Sequence, residues 1–185
     1  MILAIGDSFT YGAELANPGN DAWPTVLGRL LNQDVVNQGL TGSSNDRILR
    51  LAATNVVKYD LVICAWSGID RSEVHSRKGL VQLNFNVRTE IITYPWLKQY
   101  LTDHYNYDHA TQCWIIDVIM LQAYFQQIQQ PFLFVNAIYK KIPSSLRYLW
   151  DKVGDKTFID KNNRDRKSTR LNSSHVSESR MPSSA

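Results

Sequence analysis

The sequence predicts an α/β fold, a three-layer α/β/α sandwich around a central parallel sheet, and three observations lead to it. Met1-Ile2-Leu3-Ala4-Ile5 is a short apolar run that breaks into Gly6-Asp7-Ser8. Five residues with a β-branched member, followed by turn formers, suit a buried strand better than a helix. Apolar runs at Val35-Val36 and Leu61-Val62-Ile63-Cys64-Ala65-Trp66 then alternate with segments of one-sided apolar periodicity. Strand, helix, strand, helix, strand in that order argues for crossover connections and a parallel sheet covered by helices.

Trp23 to Leu31 places Trp23, Val26, Leu27, Leu30 and Leu31 on one helical face, with Asp21 as the expected cap and Pro24 tolerated in the first turn. Ser43, Ser44, Asn45 and Asp46 offer caps for a second helix whose apolar side is Ile48, Leu49, Leu51, Ala52 and Val56. Trp114 to Gln130 reads as a long helix, Pro131 ends it, and Phe132-Leu133-Phe134-Val135 follows as a fourth strand. The connection before that helix, Arg71 to Thr111, is unusually long and carries Phe85, Tyr94, Trp96, Tyr100, Tyr105 and Tyr107. A connection of that length normally packs as its own subdomain or covers a site, and this one leaves the carboxyl end of a central strand, where open α/β sheets hold their ligands. Its rings are expected either to form a local core or to cap a pocket, stacking on a sugar or holding an acyl chain.

The candidate chemistry begins at Gly6-Asp7-Ser8-Phe9-Thr10-Tyr11-Gly12, where a glycine turn at the end of the first strand presents a serine. Asp7 and Ser8 are also residue types that cap turns by bonding nearby amides, so the local pattern alone leaves both roles open. The block resembles the first signature of the SGNH/GDSL hydrolases, esterases and lipases whose nucleophile lies near the N-terminus. A second block, Val35-Val36-Asn37-Gln38-Gly39-Leu40-Thr41-Gly42-Ser43, is similar to the family's strand, asparagine and oxyanion glycine. The resemblance implies a flavodoxin-like fold, Ser8 as nucleophile, the amides of Ser8 and Gly42 as oxyanion donors, and Asp7 as support for the turn. It implies no cofactor and no metal.

Two family features are altered or missing. The third block should read Gly-x-Asn-Asp after its strand, and here Ser67-Gly68-Ile69-Asp70-Arg71 retains Asp70 but places Ile69 where an asparagine amide would donate to the oxyanion. Losing one such donor costs about 100- to 1000-fold in turnover. Gly68 and Arg71 are the groups at hand to replace it. The closing Asp-x-x-His does not occur in the sequence. His75, with Glu73 nearby, and the pairs Asp103-His104 and Asp108-His109 are the remaining candidates for a base, although neighbours in sequence point in different directions. His104 and His109 lack a third ligand in metal spacing.

Composition bounds the rest. The chain has 185 residues and is 44% hydrophobic, which suits one globular domain, expected over 1–160, with the 71–111 connection as a possible cap. Residues 161–185 carry six Lys/Arg against two acids, while 1–160 carry 14 against 15, so the basic character belongs to a serine-rich tail. That tail cannot bury enough apolar surface to order itself. Residues 167–185 also resemble translated vector or adaptor sequence, which would leave the native chain broken off soon after Asp160 and its last strand and helix incomplete. The tail lacks aromatic interleaving, and no stretch approaches the roughly 20 apolar residues of a membrane span. Neither nucleic acid nor membrane is therefore expected as a partner, and the resemblance to the SGNH/GDSL hydrolases implies a small ester, with acylated carbohydrates in range. Cys64 and Cys113 read as buried thiols of a reducing compartment, hence a cytoplasmic protein. Two further readings remain: a catalytically weak SGNH scaffold binding a glycan or protein, and, last, a flavodoxin-like phosphate binder, whose loop lacks both glycine spacing and a P-loop lysine.

Overall fold

The computed structural model of the chain describes residues 1–55, 59–77, 79–85, 94–137, 142–154 and 158–159. Val56, the 161–185 tail and the expected break after Asp160 lie outside the described residues. Five parallel strands form the central sheet: β1 (Ile2–Gly6), β2 (Val35–Gly39), β3 (Leu61–Trp66), β6 (Phe132–Asn136) and β7 (Phe158–Ile159). Their spatial order is β2-β1-β3-β6-β7. An antiparallel hairpin, β4 (Arg71–Ser76) with β5 (Gly79–Asn84), stands apart from it. The α/β class and the parallel sheet flanked by helices are as the sequence predicts.

β1, between β2 and β3, is apolar along its length because both its faces are covered, and Ile2, Leu3, Ala4 and Ile5 are all buried. Its register with β2 pairs Ile2 with Val35 and Leu3 with Val36, so alternate residues divide the sheet into two sides. Leu3, Ile5, Val62, Cys64, Trp66 and Phe134 make one side. Against it pack α4 (Asn45–Asn55), through Ile48 and Ala52, and α6 (Tyr107–Gln127), through Trp114, Ile115, Val118, Leu121 and Phe125. Burying each of these large side chains contributes about 1.5–3 kcal/mol. Trp150, in the short helix α7 (Arg147–Trp150), stacks near Trp114 and Phe158 and closes this core.

The other side is covered near β2 by α3 (Trp23–Leu31), which follows the short helices α1 (Ser8–Tyr11) and α2 (Pro18–Asp21). Here the structure departs from the expected face. Leu30 and Leu31 are exposed, and the buried positions are Pro24 and Gly28. Gly28 lies so close to β2 that a Cβ would stand 2.8 Å from the Gln33 carbonyl oxygen and 3.0 Å from Val35. The helix docks through its smallest residue, which rotates the leucines outward. Asp21 does not cap α3 either, since it ends α2 and the cap position is Ala22, with no side-chain bond.

The long connection resolves into β4, β5 and α5 (Pro95–Asp103), and α6 begins at Tyr107, seven residues before the expected Trp114. Asn106 supplies the reason, its side chain accepting the His109 amide at 2.9 Å as an N-cap. Of the two cysteines, Cys64 is buried as expected and Cys113 is exposed on α6.

Candidate functional site

Ser8 stands where β1 ends. Asp7 caps α1 by accepting the Phe9 amide at 3.0 Å, and Gly12 closes the helix in the left-handed region at φ +86°. A single helical turn does not persist by itself, so its position is imposed from outside. Gly39 lies against it closely enough that a Cβ would meet Tyr11 N at 2.4 Å and Thr10 C at 2.7 Å. Asn37 donates from Nδ2 to the Thr10 carbonyl at 2.8 Å and accepts the Gly39 amide at 2.8 Å, and Leu40 N donates to Gly6 O. The end of β2 thus clamps the turn that carries Ser8. Among the described residues no hydrogen bond reaches the Ser8 hydroxyl.

Beneath Ser8 lies a polar network that the sequence did not disclose. Asp7 is fully buried, and besides the cap bond its Oδ2 accepts from Ser67 Oγ at 2.8 Å and from Arg71 Nη1 at 3.0 Å. Arg71 also donates to Ser67 Oγ at 2.8 Å. Ser67 is held in turn by Asn45, which accepts its amide at 2.8 Å and donates to its carbonyl at 3.1 Å. The Arg71 guanidinium, one of the two groups offered for the missing oxyanion donor, is thereby engaged with Asp7 and Ser67. Ile69 is buried at 9% exposure within the core cluster, and its carbonyl accepts from the Tyr105 hydroxyl at 3.2 Å. Asp70 accepts the Phe85 amide with its carbonyl at 2.8 Å, joining the end of β5 to the loop after β3.

Gly42 lies in the loop after β2, at the same edge of the sheet, with φ +78° and no atom within 4 Å of a would-be Cβ. The loop is tied to the hairpin, since Gln82 Oε1 accepts the Ser44 amide at 2.9 Å. Gln82 Nε2 donates to Glu73 at 2.6 Å, and Glu73 forms a two-point pair with Arg50 at 2.8 Å. The Arg50 hydrogen bonds hold the Glu73 carboxyl below its usual range despite partial burial. Asp46, in the first turn of α4, accepts the Glu73 amide and the Ser72 hydroxyl.

The three candidate histidines separate. His75 is exposed on β4 opposite Leu80. His104 caps the end of α5 and His109 lies in the first turn of α6, its Nε2 3.6 Å from Cys113 Sγ. His104 and His109 share a cleft of about 300 Å³ with Arg71, Phe85, Tyr100 and Tyr105. Asp117 also lines it, and burial, reinforced by the Asp46 charge, pushes its carboxyl up to about 6. Tyr105 is pushed up to about 12, chiefly by burial and then by Asp70. Asp117 was missed in the sequence, although it is the only Asp, Glu, Lys or Arg between Ala110 and Pro131. No group of three or more His, Cys, Asp or Glu among the described residues could hold a metal ion.

A parallel five-stranded sheet between helices, with a serine turn at the end of its first strand, defines a protein of the open α/β type whose candidate site lies at the strands' carboxyl ends. The chain belongs to DUF6071, a family of unknown function, whose model matches residues 14–151. The Gly6–Gly12 block precedes the matched stretch. No curated protein matches the chain. Among solved structures it is similar to a mutant of the esterase AlinE4, at 14% identity and a TM-score of 0.49, covering 85% of this chain and 74% of that one. It is similar also to AlinE4 itself, an SGNH-hydrolase family esterase, at 16% identity and a TM-score of 0.47 over the same shares. No helix among the described residues is long and apolar enough to cross a membrane.

Proposed function

We propose that the chain is a serine ester hydrolase of the SGNH/GDSL type, working through an acyl-enzyme on Ser8. The observation that carries this reading is the setting of Ser8 at the carboxyl end of β1, on a one-turn helix whose shape is fixed by buried Asp7 and by the end of β2. Such a mount fixes the backbone that presents the nucleophile, and positioning of that kind favours the attack. Ser8 Oγ would add to the ester carbonyl, its proton passing to a base and the carbonyl electrons to oxygen. Collapse would expel the alcohol, and water would then release the acid.

The amides of Ser8 and Gly42 are the proposed oxyanion donors, each without an acceptor among the described residues. For the base, His104 and His109 are favoured over His75 because they share the cleft with Arg71, whose partner Asp7 adjoins Ser8. Small acyl esters are the proposed substrates, and the rings of Phe85, Tyr100 and Tyr105 in the cleft would suit an acylated sugar.

Ile69 favours a second reading, a non-catalytic scaffold that binds a glycan or protein. Its side chain is in the core and supplies no hydrogen-bond donor where the resemblance requires one. Hydrolysis of p-nitrophenyl acetate and labelling by a fluorophosphonate separate the two. The esterase reading expects labelling at Ser8 and a fall of about 10³-fold or more in turnover for Ser8→Ala. Activity that survives Ser8→Ala would refute it, and a folded chain that neither hydrolyses nor labels would leave the scaffold.

A further inference from the structure

Gly42 sits in a turn that is held from both ends. Leu40 N donates to Gly6 O at 3.1 Å, which joins the loop's start to the strand that leads into Ser8, and Ser43 N donates to Leu40 O at 3.0 Å. The four residues Leu40 to Ser43 thus close on themselves with Gly42 third, and its φ of +78° is the value a type II turn requires there. At the far end Ser43 and Ser44 are fully buried, and the Ser44 amide donates to Gln82 Oε1 at 2.9 Å. Gln82 belongs to the hairpin and stands directly opposite Glu73 in its register. Its Nε2 donates to Glu73 at 2.6 Å, so both ends of the Gln82 amide are engaged and its orientation is set. Glu73 is anchored in turn. Arg50 of α4 pairs with its carboxylate through two bonds of 2.8 Å, and Asp46 of the same helix accepts its amide at 2.8 Å.

We propose that Gln82 is a positioning residue for the hydrolysis, holding from the hairpin the turn that aims the Gly42 amide at the oxyanion. The inference rests on the esterase reading, in which that amide is a donor. Ile69 makes the placement matter more. Its side chain lies in the core and supplies no donor, so the amides of Ser8 and Gly42 carry the oxyanion between them, and a donor helps only within about 2.7–3.1 Å of it. Open space lies where a Cβ of Gly42 would be, so packing on that side does not hold it. Its direction depends on the bonds at the two ends of the turn. The first is a bond between backbone groups of Leu40 and Gly6, whereas the second is made by one side chain 38 positions further along the chain. Arg47 braces the loop from below, its Nη1 donating to Gln38 O at 3.0 Å and to Ser43 Oγ at 3.4 Å, but the Ser44 amide has Gln82 as its acceptor.

Steady-state hydrolysis of p-nitrophenyl acetate by the full chain tests it, with active sites counted by fluorophosphonate labelling taken to completion and folding verified by circular dichroism. Gln82→Ala is expected to lower kcat per labelled site by about 10- to 100-fold while KM changes less than about threefold, because a misplaced donor costs the transition state and not the bound ester. Hydrogen exchange of the 40–47 segment should rise in the same variant, since the Ser44 amide loses its acceptor. The transposed pair Gln82→Glu with Glu73→Gln keeps an acceptor for Ser44, a donor between the two side chains and an acceptor for Arg50, and should restore kcat to within about threefold of wild type. An unchanged kcat for Gln82→Ala would overturn the proposal and leave the esterase reading standing. So would a loss that the transposed pair does not restore, since the cost would then lie in the hairpin at large. A wild type that neither hydrolyses nor labels would overturn the esterase reading and this inference with it.

Discussion

Asp7 offers the sharpest test of how the Ser8 turn is held. Its carboxylate is fully buried and takes three hydrogen bonds, from Phe9 N at 3.0 Å, Ser67 Oγ at 2.8 Å and Arg71 Nη1 at 3.0 Å. Asp7→Ala strands the Arg71 guanidinium, whose side chain is only 14% exposed, and removes the cap of α1. Breaking a buried pair from one side costs about 3–5 kcal/mol, and losing an N-cap costs about 1 kcal/mol, so a loss of about 4–6 kcal/mol is expected. Asp7→Ala combined with Arg71→Met strands no charge and should recover most of that, leaving a deficit of about 1–2 kcal/mol. Urea unfolding followed by circular dichroism, on wild type, both single variants and the double variant, gives the coupling between the two residues. Since a domain holds about 5–15 kcal/mol in all, Asp7→Asn provides the milder member of the series, because its Oδ1 can still accept the Phe9 amide. A deficit below about 1.5 kcal/mol for Asp7→Ala would refute the account. So would a double variant no more stable than Asp7→Ala alone, since the cost would then not come from a stranded charge.

Two further predictions rest on single contacts. Gly39→Ala would drive a methyl group onto the backbone of Thr10 and Tyr11. Overpacking of that kind costs about 1–3 kcal/mol, so a calorimetric Tm lower by about 3–10 °C is expected, and an unchanged Tm would mean that β2 does not clamp the turn. Asp117, with its carboxyl raised from 3.8 to about 6, binds its proton more tightly folded than unfolded. In that window the native state holds more protons, so stability should fall as pH rises from about 4 to about 6, and Asp117→Asn should flatten that slope. Urea midpoints of both proteins across this range check it, and equal slopes would show that the carboxyl titrates normally.

The sequence by itself determined the layer structure. A strand covered on both faces must be apolar at every position, so Ile2 to Ile5, Leu61 to Trp66 and Phe132 to Val135 were readable as strands without reference to anything distant. The end of α6 comes earlier than expected: the helix stops at Gln127, three residues short of Gln130, and Gln129 turns out of it at φ +55° before Pro131 is reached. Ser8 was legible as a serine presented by the turn after an apolar strand, whereas Gly42 was named only through the resemblance to the SGNH/GDSL second block. What failed was whatever depended on how far one element approaches another. Leu30 and Leu31 fit an apolar helical face, yet the contact of Gly28 with β2 turns that face to solvent. The early start of α6 followed from a cap at Asn106, and Cys113 falls on a side of that helix which the core does not cover. The Asp7–Ser67–Arg71 network joins residues about 60 positions apart, and no local pattern encodes such a meeting. Only the closing of β1 against β3 brings the buried carboxylate and the guanidinium together, because the energy that fixes the pair arises where both have lost water.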